Sequence, residues 1–286
     1  MAGAAWPDLK LKQGFTHSGP KNRCYPREKN MALFKTSNPA LNGKTFENLP
    51  GARYGGFVDE STQMTLNGTV NKTGILLLCA IATAVYTWRL FLQSRDMADV
   101  APWMLLGVFG GFIVAIVTTF KKEWSPVTAP IYALLEGLFL GGLSAFLDLR
   151  YPGIAMQAVG LTFGTLIVLL VAYRSGLIPV TQKLRMGIVA ATGGICLLYL
   201  IEMLLGLFGI QFAAINGSGF IGIGFSLFVV AIAALNLVLD FDFIERGVQA
   251  GAPKYMEWYG AFGIIVTLVW LYLEILRLLS KLNRRN

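Results

Sequence analysis

Between residues 74 and 279 the chain carries seven runs of roughly twenty apolar residues, each with no charge or very few. A helix of about twenty apolar residues, rising about 1.5 Å per residue, matches the hydrocarbon thickness of a bilayer. The runs fall at 74–92, 101–120, 129–147, 154–173, 186–208, 221–239 and 258–279. Only helices and closed barrels satisfy their own backbone in lipid, and runs of this length are helical. The fold predicted is therefore all-α: a polytopic membrane protein whose residues 70–286 form a seven-helix transmembrane bundle. Composition agrees. Charged residues make up 14% and hydrophobic ones 55%, whereas a soluble domain is about a quarter charged.

Residues 1–69 are polar, rich in Gly, Pro, Asn and Lys, and show no sustained apolar period. They read as a largely disordered cytoplasmic tail. No apolar stretch near Met1 suits a signal peptide. Met31 opens a plausible second start, MALFKTSNPALN, which would make residues 1–30 an extension. Cys24, Cys79 and Cys196 have no ligand spacing, and the one histidine, His17, lies in the tail. Neither a disulfide framework nor a histidine-based site is expected. No HExxH and no GxSG-type serine paired with a membrane histidine is present, so an enzyme is not expected. The net charge of +8 is explained by topology rather than by nucleic acid. Ten Lys and Arg precede residue 74, and further ones fall in every second connection (Lys121, Lys122, Arg174, Lys183, Arg185, Arg246, Lys254). That bias places the N-terminus in the cytoplasm. The final SKLNRRN opposes it, either as a tolerated exception or because the last run does not cross fully.

Carboxylates inside such runs cost free energy and mark pathways or proton sites, although near helix ends they can simply meet the headgroups. The stretch 236–257 joins the last two spans, with Asp240 and Asp242 ending one and Glu257 opening the next. Glu136 lies about 10 Å in from the inner end of the third span. These four would share the inner third of the membrane. Glu202 and Glu274 would lie about 24 Å along outward-running helices. Glu274 can also pair locally with Arg277. Two acidic layers suit cation passage, since calcium takes carboxylate and carbonyl oxygens. Carboxylates brought close cannot both ionise cheaply and share a proton, which would make a gate pH-sensitive. Transient calcium contact is expected at Asp240 and Glu257, with no resident cofactor. Gly107–Gly111, Gly137–Gly141 and Gly160–Gly164 have the GxxxG spacing that lets helices approach closely in lipid.

Three of these stretches carry a family resemblance: LDFDFIERG at 239–247, ALLEGLFLGGLSA at 133–145 and LYLEILRLL at 271–279. With seven spans, they make residues 65–282 resemble the Bax-inhibitor/YccA family of transmembrane Bax-inhibitor-motif proteins, in its bacterial branch. The resemblance implies a last helix enclosed by the other six, and a pH-sensitive calcium leak in the bacterial cytoplasmic membrane. It implies a gate in which acids of the sixth and seventh helices share a hydrogen bond. Asp240 matches the first acid and Glu274, by motif, the second; hairpin depth instead favours Glu257. The family's basic latch on the second helix has no counterpart in the second span, where only Lys121 and Lys122 at its end could substitute. A membrane-anchored ATP-dependent protease is a partner implied by the bacterial branch. A non-transporting regulator of such a protease, or of a stress response, is the alternative function.

Overall fold

The computed structural model describes residues 62–209 and 213–285. Seven long helices follow one another: α1 Leu66–Ser94, α2 Met97–Phe120, α3 Ser125–Arg150, α4 Ile154–Arg174, α5 Gln182–Gly206, α6 Phe220–Gln249 and α7 Met256–Arg285. All seven are long and apolar enough to cross a membrane. Each contains most of the corresponding run found in the sequence. The chain is a multi-pass α-helical membrane protein.

Burial is unequal among the helices. In α7, 56% of the spanning stretch is buried, against 17% in α2 and in α5. The last helix is therefore the axis of the bundle. It packs directly on α1, α3, α4 and α6. Tyr199 of α5 also reaches it, at Glu274, so α7 is the helix around which the others pack. The α2 helix packs on α3 and α1, while α5 packs on α6. The core around α7 joins Tyr259, Phe262 and Leu271 to Leu237 and Phe241 of α6, Tyr132 of α3 and Leu76 of α1. Tyr132 and Phe262 meet edge to face, their centroids 5.0 Å apart, a geometry that aromatic quadrupoles favour.

Glycine decides which helices touch most closely. A Cβ on Gly137 would lie 2.2 Å from the Ala80 carbonyl oxygen of α1, and one on Gly141 2.1 Å from that of Ala84. Gly107 is likewise set against the α3 backbone, where a Cβ would lie 2.6 Å from the Leu135 carbonyl oxygen. Two of the three GxxxG pairs are therefore helix contacts. Gly160 and Gly164 face open space, so the third pair makes no helix contact among the described residues. Alanine is a better helix former than glycine by about 1 kcal/mol, yet a backbone carbonyl cannot move aside for a methyl group. Gly141→Ala should therefore destabilise the protein by about 1–3 kcal/mol, the usual cost of overpacking, and Gly160→Ala should not. Thermal melting in detergent checks this; equal behaviour of the two variants would refute it.

The chain is ordered earlier than the sequence suggests. Residues 1–61 of the expected tail lie outside the described residues, but 62–69 are part of the bundle. Met64 is buried and donates its N–H to the Ala252 carbonyl at 2.7 Å, while Lys254 N–H reaches the Thr62 carbonyl at 2.9 Å. Gln63 pairs with Pro253 in an isolated antiparallel bridge. This segment is thus stitched to the α6–α7 turn, where Gly251 adopts φ 66°, a conformation glycine takes without strain. Removing residues 1–60 should leave detergent monodispersity and melting unchanged. Removing 1–65 should lower the melting midpoint, because it strips the stitch and the α1 cap together.

Candidate functional site

The sixth helix does not end at Asp240. It runs on to Gln249, so Asp240 lies about 13 Å from its C-terminal end. Asp240 is 1% exposed, and its Oδ2 accepts a hydrogen bond from Thr267 Oγ1 of α7 at 2.6 Å. Thr267 lies ten residues beyond Glu257, about 15 Å along the helix axis. The expected approach of Asp240 to Glu257 is therefore corrected. It assumed that the hairpin turns just after Asp240, and the extra helical turns of α6 carry that acid deep into the bundle. The structure likewise does not bring Asp240 and Glu257 together as paired calcium ligands.

Glu257 serves the first helix. It is fully buried, and Oε1 accepts from both the N–H and the Oγ1 of Thr65 at 2.8 Å. Thr65 is the N-cap of α1, and its hydroxyl oxygen in turn accepts from Gly68 N–H at 3.0 Å. The ammonium of Lys72 bonds Glu257 Oε2, and Lys254 stands 3.0 Å from Oε1. Gly68 permits this contact: a Cβ there would lie 2.2 Å from Glu257 Oε1.

Asp242 is neutralised separately. It is paired with Arg185 of α5 and, at 3.0 Å, with Arg246 one turn along α6. Glu136 is half-buried. It lies beside Tyr132, one turn earlier in α3, and against α2, where a Cβ on Gly111 would meet its Oε1 at 3.0 Å. Glu274 lies two turns beyond Thr267 on α7. It is buried, and Oε1 accepts from Tyr199 OH of α5 at 2.9 Å. Arg277 stands 3.5 Å from the same oxygen, so the local pair read from the sequence exists. Glu274 Oε2 is buried with no hydrogen-bond partner among the described residues.

The four acids expected to share one layer are thus each held by partners of their own. Among the described residues no group of three or more His, Cys, Asp or Glu could hold a metal ion. Sequence reasoning missed Thr267, Lys72, Tyr199 and Asn236. Asn236 lies one turn from Asp240, buried, and donates to Thr192 Oγ1 of α5 at 2.9 Å. Thr267 and Asn236 carried a signal, as polar side chains in otherwise apolar runs. Lys72 was counted for topology without being given a partner.

The profile of the family described as Bax inhibitor 1 like matches residues 25–284. The chain belongs to the Bax inhibitor 1 like family. The match begins well before residue 65, so the family extends into the polar N-terminal region, contrary to the expected limit. No curated protein and no solved structure matches the chain. Within this Bax-inhibitor bundle, cations from α1 and α5 answer the acids of α6 and α7: Lys72 at Glu257 and Arg185 at Asp242. The second helix supplies neither. Lys122, just beyond α2, lies instead over the Tyr259 ring at 5.8 Å.

The last residues also find a place. Lys281 is buried near the end of α7, and its ammonium donates to the carbonyls of Ile215 and Gly222 and to Ser226 Oγ, at 2.7, 3.0 and 2.7 Å. The α7 helix runs thirty residues to Arg285. It is long enough to cross fully, with one cation of SKLNRRN satisfied inside the protein.

Proposed function

We propose that this Bax-inhibitor protein is a passive calcium leak whose opening depends on pH, with the contact of α6 and α7 at Asp240 as its proton-sensitive element. The observation that carries this reading is Asp240 itself: a fully buried carboxylate, about 13 Å inside a spanning helix, bonded to Thr267 of the central helix. A charge placed there costs free energy, so gain or loss of its proton changes how firmly α6 holds α7. Protonated, Asp240 keeps the contact closed; ionised, it loosens it. Flux therefore rises with pH. Glu274, about 10 Å beyond Thr267 along α7, with a buried carboxylate oxygen lacking a hydrogen-bond partner among the described residues, is the second proton site on the path. Calcium is cargo here and passes through these oxygens without residing. On this reading the protein lies in a bacterial inner membrane with the N-terminus and the α6–α7 turn in the cytoplasm, an orientation that the charge bias of the connections supports.

Calcium entry into liposomes holding the purified full chain, followed with a trapped indicator from pH 6 to 8, tests this. Flux should exceed that of empty liposomes and increase with pH. Glu274→Gln should change the pH profile more than Glu257→Gln, because Glu257 is committed to α1. Absence of flux at every pH would leave the regulator reading, in which the chain binds a membrane-anchored ATP-dependent protease without transport. That reading draws support from the family match reaching residue 25, which makes the polar N-terminal region part of what the family keeps.

A further inference from the structure

A well-formed cavity in the bundle lies away from the acids. It has a volume of about 570 Å³ and is a groove with walls from α1 and α4 and a floor from α3 and α7. Its volume is in the range of small-molecule sites, ~300–1,000 Å³. Along α1 it runs from Leu77 to Leu92, about 22 Å, against about 15 Å for one leaflet of hydrocarbon. Its rim is exposed, with Ile81, Val85, Met156 and Val159 at its edges. The hydroxyls of its lining are already engaged: Tyr272 OH with Ser144 Oγ, 2.7 Å apart, in the floor, and Thr162 with the Ala158 carbonyl in the α4 wall. Arg89 is the one charged residue of the lining. It is exposed, lies five residues from the end of α1, and forms no ion pair with any described residue. Trp88, an interface-seeking side chain, stands next to it on the lining.

We infer that this groove is a binding site for an anionic diacyl glycerophospholipid of the leaflet at the α1–α2 end, with one acyl chain in the groove and the phosphate on Arg89. The groove follows α1, itself a spanning helix, and so runs as lipid chains run. A peptide in it would leave backbone N–H and C=O groups unsatisfied against apolar walls, whereas an acyl chain has none. A guanidinium matches phosphate with paired, charge-assisted hydrogen bonds, and a phosphate-free chain would leave Arg89 without a counter-charge.

Native mass spectrometry of the full chain, delipidated in non-ionic detergent and titrated with phosphatidylglycerol or with diacylglycerol of the same chains, tests this. Phosphatidylglycerol should bind at least tenfold more tightly than diacylglycerol. Arg89→Gln should reduce its affinity to that of diacylglycerol, and Val159→Trp, which fills the groove from its rim, should weaken both. Equal affinity for the two lipids, unchanged phosphatidylglycerol binding in Arg89→Gln, or unchanged binding in a folded Val159→Trp would each overturn the inference. Should Val159→Trp fail to fold, Arg89→Gln decides alone, since its side chain is exposed and free of ion pairs with the described residues.

Discussion

Replacing Glu257 with glutamine should lower the stability of the bundle by on the order of 3 kcal/mol, within the ~3–5 kcal/mol that follows loss of one partner of a buried ion pair. The side chain is fully buried and joins α7 to the cap of α1 through Thr65 and to the first helical turns through Lys72. Glutamine keeps the shape and one acceptor oxygen for Thr65. It presents an amide to a lysine ammonium, so Lys72, only 17% exposed, is left without a counter-charge. Lys254 is 46% exposed and can turn to water, which keeps the effect at the lower end of that range. By the scaling known for chains of this size, the melting midpoint falls by roughly 6–12 °C. The Lys72→Met, Glu257→Gln double variant should lose less than the sum of the two single losses, as groups in direct contact do. A Glu257→Gln protein that melts like the wild type would show that the α1 cap is not held from α7.

The other large effect concerns function and arises where the sequence was hardest to read. Each apolar run announces a span through many residues at once, so all seven were legible, and so was the family through LDFDFIERG. Depth was not. The ten residues after Leu239 look like the close of a helix because they carry Asp, Glu and Arg; yet α6 continues through them, with Asp242 held by Arg185 of α5, 57 residues away in sequence. That extension moves Asp240 from the expected membrane edge to a buried contact with Thr267. The partners of Glu257 were equally out of reach, since Thr65 lies 192 residues earlier and no local pattern connects them. Glu274 with Arg277, three residues apart, and Asp242 with Arg246, four apart, are acidic contacts that helical spacing alone can supply.

The buried placement of Asp240 leads to the prediction that matters most for function. Asparagine at this position is nearly isosteric and retains an oxygen for the Thr267 hydroxyl, so the bundle should keep its fold and its melting midpoint within about 1 kcal/mol of the wild type, the net worth of one hydrogen bond. It cannot, however, take up or release a proton in the range where a carboxyl can. Thr267→Val should act in the opposite way: it preserves the titrating group and removes its hydrogen-bond donor, so flux should rise while its pH dependence persists.

The most direct measurement is calcium flux across pH 6 to 8 in liposomes holding equal amounts of wild-type protein and Asp240→Asn. The wild type should show flux that climbs with pH, and Asp240→Asn a low flux that is nearly flat. A variant that folds, conducts calcium and keeps the wild-type pH profile would contradict the role given to Asp240.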